Sequence, residues 1–199
     1  GIGNFVEVKL AKRLGFEVII IDHHEVLKKL PEASIIINPK QAGDKYPFKE
    51  FSTAGISFKL SEFLLKNKMA ESLRKNFLEL VTLATIADMM PLRSDNKIMI
   101  EEGLNSLENS WRPGVKTFFE AEFIKNFETT IQKVSKIISI LNIRDIEKKL
   151  PASFRVLSSS SENEARKLIN KLFAKSSARK QKIEELIMKI EESISKKQA

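Results

Sequence analysis

Glu17-Val18-Ile19-Ile20-Ile21-Asp22-His23-His24 is the stretch whose reading decides the fold. Its first five residues are a short, β-branched apolar run, bounded by Gly15 before and by three polar side chains after. A run of that length and composition predicts a strand buried on both faces. Residues 34–38 (SIIIN) repeat the pattern and stop at Asn38-Pro39. Upstream, residues 4–14 place Val6, Leu10 and Leu14 on one helical stripe that Gly15 ends. Two buried strands beside helices predict a parallel sheet in an α/β layer fold.

Outward from the strands the pattern changes. Residues 40–51 are loop-like, with Gly43 and Pro47 as breakers. Residues 53–66 read as a helix. Residues 76–90 are nearly all apolar, which predicts a helix buried all round and ended by Pro91. Residues 97–109 give another helix, and Pro113-Gly114 mark a break. Beyond it the chain reads as almost wholly helical, with amphipathic segments at 115–126 and 128–141. Ser161 and Glu164 have the spacing of a capping box at the head of a long helix reaching to about residue 197. A helix of that length connects domains or pairs with a partner. The expected division is a core at 1–110, a helical extension at 111–160 and a connecting helix at 161–199.

Composition narrows the classes. The 199 residues contain no cysteine, which excludes a disulfide framework, a zinc–thiolate site and a cysteine nucleophile, and fits a reducing cytoplasm. No apolar run is long enough to span a membrane. The formal charge is +8 and lies entirely in the second half: residues 1–110 carry 15 basic and 15 acidic side chains, and residues 111–199 carry 19 and 11. A basic half fits contact with a polyanion, usually nucleic acid, and equally fits a solvated lysine-rich surface.

Asp22-His23-His24 carries the chemistry. Ligands in open α/β sheets bind outside the carboxyl ends of the strands, where this tripeptide falls. Carboxylate and neutral imidazole bind divalent cations, and neighbouring residues leaving a strand point different ways. One imidazole can then hold a metal while the next faces the substrate. Both histidines of the chain lie here. Asp88, in the apolar setting Ala84-Thr85-Ile86-Ala87-Asp88-Met89-Met90-Pro91-Leu92, is the second candidate, because a carboxylate there is costly to bury unless paired or metal-bound. Trp111, Phe118, Phe119, Phe123 and Phe127 could stack on bases, but at helical spacing they read as core. Met89 and Met90 read as packing residues.

Taken together, these segments resemble the DHH phosphoesterase superfamily. Gly15 to Glu25 is similar to its signature motif. Leu30-Pro31, Ile37 to Gln41, Tyr46 to Glu50 and Ala54 to Leu60 are similar to the following segments of RecJ-type single-strand exonucleases, and Thr85 to Leu92 to the family's fourth motif. The resemblance is strong over residues 1–110 and weaker beyond. It implies a parallel-sheet DHH-type domain, then a mostly helical segment and a long connecting helix. It implies a two-metal phosphodiesterase using Mn2+ or Mg2+ and acting on single-stranded nucleic acid. By position, His23 and Asp88 would be metal ligands, Asp22 would support the cluster, and His24 would contact the phosphate. Asn142 and Arg144 would be the remnant of a motif that approaches the nucleic acid backbone, here without its glycine.

The resemblance also implies that Gly1-Ile2-Gly3-Asn4 follows directly on an Asp of an earlier motif. The chain would then lack most of the metal carboxylates and the first strands, expose apolar surface, and be inactive by itself. Two further readings stay open. One is a DHH phosphodiesterase acting on short oligonucleotides or cyclic dinucleotides, and the other is a non-catalytic nucleic-acid-binding homologue. The enzymatic readings require Asp88 to converge with residues 22–24.

Overall fold

Helix α1 (Phe5–Arg13) ends at Gly15, which adopts φ 85°. The Phe16 amide donates to the Ala11 carbonyl and the Gly15 amide to the Lys12 carbonyl, the reverse-turn cap that a left-handed residue closes. The chain then enters β1 (Ile19–Ile21), which pairs in parallel with β2 (Ile35–Ile37), Ile19 opposite Ile35 and Ile21 opposite Ile37. Next come α2 (Thr53–Leu65), a short 3-10 turn at Lys66–Lys68, α3 (Glu71–Ala87) and α4 (Ser94–Leu107). The computed structural model describes residues 1–26 and 29–198. They fall into two units, Gly1–Leu107 and Glu108–Ala199.

Side chains alternate across a strand, so the isoleucine triplets serve two cores. Ile20 and Ile36 pack with Ile2, Val8 and Val18 on the α1 side. Ile21 and Ile37 pack against Phe48, Phe51, Ile56, Phe58, Leu78, Val81 and Met99 from α2, α3, α4 and the preceding loop. Burial on both faces holds only toward the carboxyl ends, since Ile19 and Ile35 are more than half exposed. The stripe expected of α1 is also corrected: Val6, Leu10 and Leu14 face solvent, and Val8 is the residue of α1 that is buried. The period identifies a helix, whereas the sheet decides which side it buries.

α3 is not buried all round: from Asn76 to Ala87 its residues Phe77, Leu80, Ala84 and Ala87 are half-buried along one face, and it begins five residues earlier than its apolar run suggests. α4 crosses it closely at Gly103, where a Cβ would meet the Leu78 carbonyl oxygen at 2.5 Å.

In the second unit, the helix expected over 115–126 is two: α5 (Pro113–Glu120), with Pro113 in its first turn, and α6 (Glu122–Lys125). Ala121 between them is extended, at ψ 133°. Phe118 and Ile124 are both fully buried. An unbroken helix would aim side chains six apart about 120° away from each other. The break turns both into one core. α7 (Thr130–Leu141) follows, capped reciprocally by Thr129 and Gln132. A hairpin of β3 (Ile146–Glu147) and β4 (Leu150–Pro151) turns through Lys148 and Lys149, both with positive φ. α8 (Ala152–Leu157) and the 37-residue α9 (Glu162–Gln198) complete the unit. At the head of α9, Glu164 accepts from the Ser159 hydroxyl rather than pairing with Ser161. Ala165, Ile169 and Leu172 seal α9 to the core, and the stripe Ile183, Leu186, Ile187, Ile190 further along is exposed. Phe123 stacks on Phe173 with centroids 4.0 Å apart, while Trp111 lies at the surface. No helix among the described residues is long and apolar enough to cross a membrane.

Asp145 is the unit's polar anchor. Its buried carboxylate is met by Arg155, by Lys175 at 2.5 Å and by Lys171 at 3.1 Å. Lys175, then the other two cations, outweigh burial and hold its pKa down at about 2, against an ordinary 3.8. A depressed carboxylate contributes stability above its unfolded pKa and loses it as pH falls through the folded one. Asp145→Asn should therefore cost about 1–2 kcal/mol at neutral pH, a modest loss because the half-exposed lysines are screened by solvent. Urea melts of wild type and variant should converge as pH falls from 3.8 to about 2; a gap that persists there would contradict this assignment.

Candidate metal and phosphate site

Asp22 leaves β1 with its side chain turned inward, only 7% exposed. Four donors close around it. The Ile2 amide donates to Oδ2 at 2.7 Å, and the His23 amide, the His24 amide and the His24 Nδ1–H reach Oδ1 at 2.8, 3.2 and 2.6 Å. Burial alone would raise its pKa. The His24 ring and the three amides outweigh that and hold it far below the carboxylate range. Asp22 is thus an anion that shapes the turn and aims His24.

His24 uses Nδ1 on Asp22, so its Nε2 faces outward from a ring that is 72% exposed. The His23 ring stacks on it at 4.3 Å between centroids and is more covered, 13% exposed. The His23 Nδ1 lies 2.7 Å from the Thr53 hydroxyl, at the head of α2, and its Nε2 lies 3.9 Å from Asp88 Oδ2. Residues 65 positions apart in sequence therefore converge, as the enzymatic reading requires.

Asp88 is not buried, as its apolar neighbours suggested, but caps the carboxyl end of α3 with its side chain 43% exposed. The last turn of α3 has no basic residue. A carboxylate at the negative end of a helix dipole, without a cation on its own turn, is an electrostatic demand for one. The donor set fits a divalent ion. A cation about 2.1 Å from each of two ligand atoms permits separations up to about 4.2 Å, and the 3.9 Å between His23 and Asp88 falls within it. One ligand atom from each of Asp22, His23 and His24 also lies within 4.8 Å of the others.

The sequence assigned no role to the supporting residues. Asn38, fully buried, donates to the His24 carbonyl at 2.9 Å and accepts from the Lys40 amide. Lys40 bridges Glu25 at 2.9 Å and Glu50 at 3.4 Å, joining the turn after His24 to the loop before α2. Ser52 caps α2 and shares a hydrogen bond with Thr85 of α3 at 2.9 Å. Only Ser52 carried a local signal, as a helix cap. Asn142 ends α7 and Arg144 follows it, both exposed and both in the second unit.

Residues 1–85 match the DHH family, N-terminal domain. The chain's relatives are more particular. It is 42% identical over 116 residues to the single-stranded-DNA-specific exonuclease RecJ of Bacillus subtilis, covering 58% of this chain and 14% of that protein. It is 29% identical over 192 residues to RecJ of Thermus thermophilus, covering 95% of this chain and 27% of that one. Among solved structures, exonuclease RecJ bound to manganese matches with a TM-score of 0.77 at 26% identity, over 95% of this chain and 47% of that one. RecJ from Thermus thermophilus in complex with Mn2+ matches at 0.76 and 25%, over 95% and 28%. The chain thus spans a minor part of each.

One strained residue adjoins the site. Met89, 89% exposed, sits at φ 53°. Its amide donates to the Ile86 carbonyl and that of Met90 to the Thr85 carbonyl. This is the cap that Gly15 makes for α1, built here with a side chain. It corrects the packing role expected of Met89. A left-handed non-glycine residue costs about 1 kcal/mol or more. Met89→Gly should accordingly raise stability by up to about 1 kcal/mol in urea unfolding, with Asp88 undisturbed; a variant no more stable than wild type would show that the turn is unstrained.

Proposed function

We propose that this chain forms part of a metal-dependent phosphodiesterase that degrades single-stranded DNA from an end, as its relatives' names describe. The observation that carries the reading is the approach of His23 Nε2 to Asp88 Oδ2 at 3.9 Å, beside an imidazole held outward by a buried carboxylate. His23 and Asp88 are the metal ligands in this reading. The set mixes an imidazole nitrogen with a carboxylate oxygen, the carboxylate suits Mn2+ and Mg2+, and these are the ions named in the structures of the relatives. A pair of such ions supplies positive charge at a scissile phosphate and activates water.

The chain's own groups do the rest. Asp22 fixes the turn and holds the His24 Nδ1–H, so that Nε2 is the atom presented to the phosphate. There the doubly protonated ring donates its Nε2–H and offsets charge that grows as the bond breaks. Asn38 and Lys40 hold the loop that carries both histidines. Residues 1–110 form the catalytic part, with 111–160 as its extension and 161–199 as a connecting helix. Asn142 and Arg144, exposed after α7, are the proposed contacts to the nucleic acid backbone. The setting is the cytoplasm, which the absence of cysteine suits.

The test uses the complete protein with Mn2+ on end-labelled single strands, duplexes and dinucleotides. Single strands should be degraded and the other two spared. His23→Ala and Asp88→Ala should each weaken Mn2+ binding by at least about 10-fold and abolish degradation. His24→Ala should slow it roughly 100-fold or more while leaving Mn2+ affinity near wild type. Undiminished cleavage by Asp88→Ala, or cleavage in excess chelator, would defeat the proposal.

A further inference from the structure

Thr53 is the one side chain described at hydrogen-bond distance from the His23 ring, 2.7 Å from Nδ1. We propose that it is a positioning residue: its hydroxyl accepts the His23 Nδ1–H, fixes that tautomer, and so leaves the Nε2 lone pair for a cation shared with Asp88. The inference rests on reading His23 and Asp88 as metal ligands, and adds what orients the first of them.

A hydroxyl can donate or accept, so distance alone leaves two tautomers. The other side of the ring decides between them. Were Thr53 the donor, Nε2 would carry the proton and would point it at Asp88 Oδ2. A histidine N–H and a carboxylate free to meet close to about 2.7–2.9 Å. Here they stand 3.9 Å apart, beyond any hydrogen bond and within the span of a bridging ion. With Nδ1–H donated to Thr53, Nε2 is a bare lone pair facing a carboxylate, an arrangement that calls for a cation between them.

Thr53 is well placed for this. It is the first residue of α2, and Ser52 before it caps the helix, accepting from the Gly55 amide at 3.2 Å. Ser52 is also tied to Thr85, three residues before Asp88. One helix start therefore steers the His23 ring through Thr53 and the end of α3 through Ser52. The β-branched side chain of Thr53 limits its rotamers and keeps the oxygen aimed. Metal-binding histidines commonly have their second nitrogen held in this way.

Two histidines in 199 residues make the test direct. Long-range proton–nitrogen spectra of the 15N-histidine-labelled chain, metal-free at a pH where both rings are neutral, give four imidazole nitrogens. His23 should show a protonated Nδ1 and an unprotonated Nε2. Thr53→Val should shift it toward the Nε2–H form, and Thr53→Ser should restore the wild-type pattern. Thr85→Val, which breaks only the Ser52 link, should lower the melting temperature and leave the His23 signals in place. In the complete protein, Thr53→Val should weaken Mn2+ binding about 10- to 100-fold, with Thr53→Ser close to wild type. A protonated Nε2 in the wild type, or an unchanged tautomer in Thr53→Val, would overturn the proposal. Should His23→Ala leave Mn2+ affinity unaltered, the metal reading of the site fails, and the proposal's cation with it, while the tautomer is decided by the spectra alone.

Discussion

A carboxylate taken out of water must be repaid in hydrogen bonds, and Asp22 is the place where this chain meets that demand. It stands at the end of a strand whose isoleucines are bound into two cores, so it cannot turn away to solvent. Its two oxygens collect the Ile2, His23 and His24 amides and the His24 ring. Three of those donors belong to the two residues that follow. Their backbone is thereby wound tightly around the carboxylate, which sends the two imidazoles off on adjacent paths, stacked on each other. Neighbouring residues in an extended strand would have pointed to opposite faces. The buried charge converts a strand end into a pair of rings with separate duties.

A second element brings the opposite problem. α3 arrives from the hydrophobic core and ends on Asp88, where dipole and side chain have the same sign. Its turn is closed by Met89 at a positive φ instead of by a glycine. Each feature costs stability, and the two occur side by side at the residue that faces His23. Strain and like charge tolerated at one point are characteristic of places where a ligand settles the account. The favourable terms elsewhere, such as the buried face of α3 from residue 76 and its close crossing with α4 at Gly103, hold that end in place.

Much of this was legible in the residues. The isoleucine triplets announced parallel strands, Gly15 announced the end of α1, and the order of motifs announced the match to the DHH family's N-terminal domain. Convergence of Asp88 with His23 came from the resemblance and could not come from spacing, since the two are 65 positions apart with two α-helices between them. Exposure was the recurrent error. Val6, Leu10 and Leu14 satisfy helical periodicity yet face solvent, because α1 meets the sheet through Val8. Asp88 was expected to be buried from the company it keeps, but helix ends reach the surface even when helix middles do not. Thr53 had no pattern at all, and Asn38 and Lys40 lay in a segment of the resemblance that assigned them no role. Their roles depend on atoms brought together by tertiary contacts, and a lone polar residue in a loop or first turn looks the same whether or not a histidine lies beside it.

The basic excess of the second half shows how a charge count becomes a field only after folding. Lys116 is met by Glu162, Lys133 by Glu108, and Arg166 by Glu120. Arg155, Lys171 and Lys175 converge on Asp145. Those cations serve the structure first, and what they offer a polyanion is reduced by the carboxylates beside them. The charge open to any polyanion is therefore less than +8 implies. In the hairpin that follows Asp145, the turn residues Lys148 and Lys149 are exposed, each at a positive φ that a glycine or asparagine would adopt at lower cost. Placing two lysines there adds strain that a glycine turn would not, and presents two cations at the surface of the second unit.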